Sequence, residues 1–134
     1  MKKIFALLTL VALAACGGGT TRTVDGDMVF FAFDSAVITD QARENLQDQA
    51  LWMKQNPDID VTLIGHCDER GSTEYNLALG ALRAGNAAHT MIREGIEPER
   101  IKTISYGKER PQFVGTGEEV WAKNRNVTTI TEVE

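Results

Sequence analysis

The sequence predicts an α+β domain in which helices cover a small sheet. Short apolar runs rich in β-forming residues alternate with two longer segments whose apolar residues recur every three or four positions. The predicted order is β-α-β-α-β-(α)-β, with two main helices packed on a small mixed four-stranded sheet. The chain has 134 residues, of which 43% are hydrophobic, so it can form one such domain and a short additional segment.

Composition and charge disfavour two classes of protein. The net charge of −5 disfavours a nucleic-acid binder, because affinity for nucleic acid comes mostly from Lys and Arg on phosphates. A disulfide-stabilised scaffold is excluded, since the chain has only 2 cysteines, and one of them, Cys16, is expected to be modified as described below.

Residues 1–15 are predicted to be a lipoprotein signal peptide. A short basic start precedes an apolar run at 4–13. As a helix, this run would rise about 15 Å, half of the ~30 Å hydrocarbon core of a membrane, so it indicates a secretory signal. The sequence LAAC, which ends at Cys16, resembles the bacterial lipobox, in which the cysteine is acylated and begins the mature chain.

Residues 16–27 are predicted to be the lipidated cysteine and a flexible linker. Gly17 rather than Asp follows Cys16, which resembles the sorting pattern of outer-membrane lipoproteins. The linker is small and polar, with too little apolar surface to fold, and the domain is expected to span 28–134. Removal of 1–15 takes away two lysines and no acid, so the net charge falls from −5 to −7. Membrane contact should therefore come from the lipid and not from charge.

The first half of the domain predicts a strand, a helix and a second strand. Residues 29–33 (VFFAF) form the first strand, which Asp34 ends. Residues 39–56 form a helix that Pro57 stops. Residues 61–64 form the second strand, closed by Gly65. The buried face of the helix is expected at Ala42, Leu46, Ala50 and Met53.

The second half predicts a long helix at 73–94 with Gly95 as its C-cap, a strand at 101–106, a short helix at 118–124 and a last strand at 127–133. The buried stripe of the long helix is expected at Leu77, Ala81, Ala84, Ala88 and Met91 or Ile92.

Charged residues gather at the predicted ends of these elements. Asp68 lies just beyond the second strand, and Asn76, Leu79 and Arg83 form a helical stripe distinct from the buried one. If the first two strands are neighbours, Asp34 joins Asp68 and Arg83 at one edge of the sheet. Such a set suits a zwitterionic ligand, because a guanidinium binds a carboxylate bidentately and Asp accepts from an ammonium. The alternative is an Asp68–Arg83 salt bridge that only ties the loop to the helix.

The motif GHCDERG at 65–71, read with Tyr75-Asn76, Leu79 and Arg83, is similar to the signature of the OmpA-like peptidoglycan-binding domain family. Further matches are Phe33-Asp34, the stretch SYGKERP at 105–111, and KNR at 123–125. The resemblance extends over about residues 29–130.

The resemblance implies non-covalent binding of the diaminopimelate side chain in the peptidoglycan stem peptide. The family's acidic ligand falls on Asp68, its helix arginine on Arg83 and the acid after the first strand on Asp34, with flanking contacts on Asn76 and Leu79. Diaminopimelate carries a terminal carboxylate and ammonium on one carbon, which is the zwitterion suggested by the charges.

The resemblance also implies the biological setting. An outer-membrane lipoprotein anchored at Cys16 would tether that membrane to the wall, without a cofactor, a metal or a catalysed reaction. It would work with Tol proteins in envelope integrity and cell division, and the periplasmic β-propeller protein TolB would bind a surface that overlaps the wall site.

Three residues depart from the family pattern. Ala81 and Leu82 stand where many relatives have Glu and Arg, and Asn126 stands where many have a second Arg. These changes affect expected partner surfaces and affinity more than ligand identity.

Two other functions remain open alternatives. The first is a periplasmic protein–protein adaptor with little wall binding. The second is a wall-active glycosidase that uses Asp34 and Asp68. Arg83 argues against the glycosidase, because it would lower carboxyl pKa values whereas a general acid needs a raised pKa. The adjacent His66, Cys67 and Asp68 cannot converge as a catalytic triad, because consecutive extended residues point to opposite faces.

Overall fold

The computed structural model describes residues 23–133, and its elements follow the predicted order. The strands are β1 (Met28–Phe30), β2 (Ile59–His66), β3 (Ile101–Gly107) and β4 (Asn126–Val133). The helices are α1 (Asp40–Gln55), α2 (Thr73–Arg93) and α3 (Glu118–Asn124), and a 3₁₀ turn at Pro98–Arg100 precedes β3. The predicted signal peptide and the predicted lipidation site, Cys16, lie outside the described residues.

The strands form one mixed sheet in the order β1-β4-β2-β3. β4 pairs antiparallel with both β1 and β2, and β2 pairs parallel with β3. This architecture confirms the predicted α+β fold. The first two strands are not neighbours, because β4 lies between them.

The first strand is shorter than predicted, and Asp34 does not end it. Phe30 pairs with Asn126, the first residue of β4, so the ladder has no partner strand beyond this point. The Phe31 N–H still donates to the Arg125 carbonyl at 2.9 Å, after which the chain turns. Asp34 lies in this turn with a φ of 53°, a left-handed conformation that Asp tolerates better than most residues.

The predicted face of α1 is buried. The Thr39 hydroxyl accepts a hydrogen bond from the Ala42 N–H and begins the helix. Gln49 is also buried on this face, where its side-chain oxygen accepts from the Thr129 hydroxyl at 2.6 Å. The apolar core between α1, α2 and the sheet consists mainly of Val29, Phe31, Ala42, Leu46, Ala50, Met53, Val61, Leu63, Ala84, Ala87, Met91 and Val127.

The predicted buried stripe of α2 was wrong in its first two turns. Leu77 and Ala81 are exposed, whereas Asn76 and Gly80 face the sheet. Gly80 lies so close to β2 that a Cβ on Gly65 would overlap the Gly80 carbonyl. The stripe of Asn76, Leu79 and Arg83 is therefore continuous with the buried face of α2 and not distinct from it.

Residues 24–26, which belong to the predicted linker, pack against the domain. The Val24 side chain is buried in the core. The Gly26 N–H donates to the Thr129 carbonyl at 2.7 Å, and the Asp25 carboxylate accepts from the Thr131 N–H at 2.8 Å. These contacts extend the pairing of the chain with β4, so the last residues of the predicted linker are part of the fold.

Candidate functional site

The five predicted ligand residues line one cavity of about 380 Å³. It lies where β2 ends, between the 66–71 loop, the first turns of α2 and the loop after β1. The remaining lining residues are Phe33, Cys67, Arg70, Gly71 and Tyr75. The structure therefore brings Asp34, Asp68, Asn76, Leu79 and Arg83 together even though β1 and β2 are not adjacent.

Arg83 is held by backbone carbonyls and not by a carboxylate. Its side chain is fully buried, and it donates to the carbonyls of Ser35 at 2.8 Å, His66 at 2.9 Å and Ala32 at 3.1 Å. These contacts fix the loop after β1 against the end of β2. A guanidinium has five N–H donors, so two are left without a partner among the described residues.

The alternative of an Asp68–Arg83 salt bridge is wrong for the described residues, because Asp68 pairs with two other arginines. Its carboxylate lies 2.8 Å from the Arg70 guanidinium and 3.3 Å from that of Arg125. Burial acts to raise the pKa of Asp68, but hydrogen bonds from Arg70 and Arg125 outweigh it and hold this pKa below its ordinary value. Asp68 is therefore a fixed negative charge in the wall of the cavity.

The Arg70 side chain closes one side of the cavity. Its guanidinium carbon lies 4.0 Å from the centre of the Phe33 ring and 3.9 Å from that of Trp121. This stacking places a cation between two aromatic rings while it still reaches Asp68. The Trp121 indole N–H donates to Glu69 at 2.7 Å, which ties α3 to the same loop.

Arg125 connects Asp68 to more distant parts of the fold. It donates to the Phe31 carbonyl at 2.9 Å and to Glu118, the first residue of α3, at 2.9 Å. Its side chain is only 8% exposed, so its bonds to Phe31 and Asp68 form in a largely dry environment, whereas Glu118 is exposed to solvent.

Asp34 presents the second carboxylate to the cavity from an exposed turn. One of its oxygens accepts a hydrogen bond from the Tyr75 hydroxyl, and this bond raises the pKa of Tyr75. The other oxygen has no hydrogen-bond partner among the described residues. Asp34 is thus positioned by Tyr75 and keeps acceptor capacity for a ligand.

Asn76 shapes the cavity through the loop that precedes α2. Its amide nitrogen donates to the carbonyls of Arg70 at 2.7 Å and Ser72 at 2.9 Å. Cys67, which is buried, donates from Sγ to the Asn76 carbonyl at 3.3 Å. Burial raises the pKa of Cys67, so its thiol stays protonated and has a packing role.

The chemistry of this cavity suits a ligand that carries opposite charges close together. Arg83 supplies cationic donors, Asp34 and Asp68 supply carboxylates, and Leu79, Phe33 and Tyr75 supply apolar walls. Within residues 23–133 there is no group of three or more His, Cys, Asp or Glu able to hold a metal ion, nor any helix long and apolar enough to cross a membrane.

Sequence reasoning missed the roles of Arg70 and Arg125. Both lie in motifs that resemble the family, at 65–71 and 123–125, but their shared partner could not be deduced from spacing. Arg125 is 57 residues from Asp68 along the chain, and the pairing of Gly65 in β2 with Val127 in β4 brings the two residues together.

The family model described as OmpA matches residues 30–125. A protein of Agrobacterium fabrum named peptidoglycan-associated lipoprotein is 45% identical over 105 residues, which are 78% of this chain and 59% of that relative. A protein of the same name in Mesorhizobium japonicum is 45% identical over 120 residues, 88% of this chain and 71% of the relative. The chain thus spans between about three fifths and seven tenths of these two relatives.

Solved structures give the same grouping. The fold is similar to the peptidoglycan-associated lipoprotein of Burkholderia pseudomallei, with a TM-score of 0.76 and 36% identity over 78% of this chain and 89% of that one. The C-terminal domain of Helicobacter pylori MotB has a TM-score of 0.75 at 20% identity, covering 81% of this chain and 85% of that one, a likeness of fold alone. With the family match over residues 30–125, these similarities show that the chain belongs to the OmpA family.

Proposed function

We propose that this protein is an outer-membrane lipoprotein that binds peptidoglycan without covalent attachment and tethers the membrane to the wall. Its relatives that are named peptidoglycan-associated lipoprotein support this assignment. The ligand is the free end of diaminopimelate in the stem peptide, and binding involves no bond cleavage.

The observation that carries the proposal is the division of charge in the 380 Å³ cavity. The two unpartnered N–H donors of Arg83 suit the terminal carboxylate of diaminopimelate, and the carboxylates of Asp68 and Asp34 suit its ammonium. Leu79 would contact the methylene chain, and Asn76 holds the loop in place. A glycosidase is disfavoured because the pKa of Asp68 is lowered, whereas a general acid requires a raised pKa.

The route of the chain supports a tether. The first described residues pair with the part of β4 that lies beside the start of β2, whereas the cavity follows the end of β2. The eight residues of β2 span about 23–26 Å. An anchor at Cys16 and a wall ligand in the cavity would therefore attach to opposite ends of the domain, so the domain itself would bridge part of the gap.

By family resemblance, we further propose that the protein acts with Tol proteins in envelope integrity and cell division, and that TolB shares the rim of the cavity. The exposed Phe33 and Tyr75 offer aromatic surface at this rim. If the two surfaces overlap, a stem peptide that fills the cavity should release TolB from the purified protein in a pull-down.

Co-sedimentation with purified peptidoglycan tests the site. The purified protein in mild detergent should pellet with the wall, and Asp68→Asn should weaken binding about ten- to a hundredfold, as expected for one lost charged contact. Asp48→Asn on the exposed side of α1 is the matched control and should bind like wild type. Circular dichroism verifies that each variant is folded. A folded wild type that stays in the supernatant would contradict wall binding and favour the adaptor function.

A further inference from the structure

The carboxylate of Asp68 has no free acceptor position in this structure. An ionised carboxylate offers about four lone-pair positions. One oxygen accepts from the Arg70 backbone N–H at 3.0 Å and from its Nε at 3.2 Å. The other accepts from Nη2 of Arg70 at 2.8 Å and from Nη1 of Arg125 at 3.3 Å. An incoming ammonium must therefore displace one of these donors before it can bond to Asp68.

The two arginines differ in how easily they can leave. Arg125 is only 8% exposed and is held by the Phe31 carbonyl and Glu118 as well as by Asp68. The Arg70 side chain is 32% exposed, lines the cavity, and among the described residues its side-chain hydrogen bonds go only to Asp68. Its guanidinium can leave Asp68 while its backbone N–H stays bonded.

We propose that the Arg70 guanidinium occupies the position on Asp68 that the ammonium of the ligand takes. The ammonium displaces this guanidinium, while Arg125 keeps the Asp68 carboxylate in position. This inference rests on the proposed function and adds to it that the ligand group bound to Asp68 must be positively charged. Departure of the Arg70 side chain frees two acceptor positions, and a cation must fill them again because Asp68 remains buried and ionised. A neutral ligand group cannot compensate for the lost guanidinium.

The exchange makes a spectroscopic prediction for wild type. Because Arg70 stacks 3.9 Å above the Trp121 ring, its departure should change the fluorescence of Trp121. A Trp52→Phe background leaves Trp121 as the single indole of the chain, which has 2 Trp in all. The probe is a synthetic stem tripeptide that ends in diaminopimelate. The control is the same peptide acetylated on the distal amino group, which removes the positive charge.

The decisive variant is Arg70→Gln. Without a competing cation, it should bind the free-amine peptide about three- to tenfold more tightly than wild type by calorimetry, and the fluorescence response of Trp121 should disappear. The acetylated peptide should bind weakly to both proteins. Arg93→Gln, at an exposed position of α2, removes the same charge away from the cavity and should leave the affinity unchanged.

The possible results separate the two proposals. If wild type binds the peptide and folded Arg70→Gln binds it equally or more weakly, Arg70 is a direct contact or a bystander and the exchange is wrong, while wall binding stands. If folded wild type binds neither the peptide nor purified peptidoglycan, both proposals fail.

Discussion

Arg83 has both a structural role in the fold and a proposed role in ligand binding. Its buried guanidinium is bonded to two carbonyls of the loop after β1 and to one at the end of β2, and it lines the cavity with two N–H groups that have no partner among the described residues. Burial lowers the pKa of Arg83, and the nearby Asp68 and Asp34 act against that shift. The arginine thus fixes the shape of the site and supplies its positive charge.

Arg83→Lys should destabilise the protein although it keeps the charge. A lysine ammonium cannot reach three carbonyls arranged around a planar fork, so at least one carbonyl loses its partner. We expect a loss of about 2–4 kcal/mol in the free energy of unfolding, measured by urea denaturation. Arg93→Lys at the exposed end of the same helix serves as the control. A loss below about 0.5 kcal/mol would contradict the structural role of Arg83.

His66 should make stability depend on pH in mild acid. It is 5% exposed, and burial lowers its pKa despite an opposing hydrogen bond to the Arg110 backbone. Its Nδ1 has no partner among the described residues. The unfolded chain therefore takes up a proton at a higher pH than the folded chain does. Stability should fall as the pH drops through about 6.5 towards the lowered folded-state pKa, by at most about 1.4 kcal/mol per pH unit.

His66→Gln should flatten this dependence, which urea denaturation at a series of pH values would measure. The exposed His89→Gln is the matched control and should keep the wild-type slope. A slope that is the same in wild type and His66→Gln would show that another group causes the acid sensitivity.

At the scale of elements, the site depends on how closely α2 approaches the sheet. Gly65 and Gly80 meet backbone to backbone, and a Cβ on Gly65 would overlap the Gly80 carbonyl. Gly85, in the same helix, has open space around its Cα. This contact sets the height of Asn76 and Arg83 above the end of β2, so it determines the geometry of the cavity.

Gly65→Ala should therefore destabilise the protein strongly, by about 3 kcal/mol or more, because backbone must move to relieve the overlap. Gly85→Ala should stabilise the protein by about 0.5–1 kcal/mol through helix propensity. Thermal denaturation followed by circular dichroism distinguishes the two variants. Equal effects of both substitutions would mean that the close approach is not tight.

The elements themselves were largely predictable, because each is defined by local periodicity and capping. The helix at 118–124 and the buried face of α1 agree with the structure. Two features were not predictable from local signals. β1 ends where β4 has no further residue to pair with, and α2 buries Asn76 and Gly80, which an apolar-stripe analysis passes over.

The functional site, like the fold, was predictable where local sequence motifs define it and not where distant residues meet. Its five predicted residues line one cavity, whereas their contacts with a ligand remain a prediction. The partners of Asp68 were not predictable. Arg125 lies 57 positions away in the sequence, and Arg70 forms the ion pair with Asp68 that was considered for Arg83. Ion pairs between residues that are distant in the sequence depend on tertiary packing, which the spacing of residues in the sequence does not predict.

At the scale of the whole molecule, the separation of the cavity from the N-terminal end gives the domain its proposed mechanical role. Residues 25–27 are bonded to β4, so tension from an N-terminal anchor would be transmitted into the sheet. The cavity lies at the other end of β2, where Arg83 and Arg125 tie the loops to the sheet.

Recognition of a zwitterion by the cavity is tested most directly by a comparison of two kinds of cell wall. The purified protein is titrated in a pelleting assay against peptidoglycan with diaminopimelate and against peptidoglycan with lysine at the same position of the stem peptide. Lysine keeps the distal ammonium but lacks the carboxylate that Arg83 would bind. We expect at least about tenfold weaker binding to the lysine-type wall, corresponding to one charged contact. Equal binding to both walls would show that the cavity does not recognise the carboxylate of diaminopimelate.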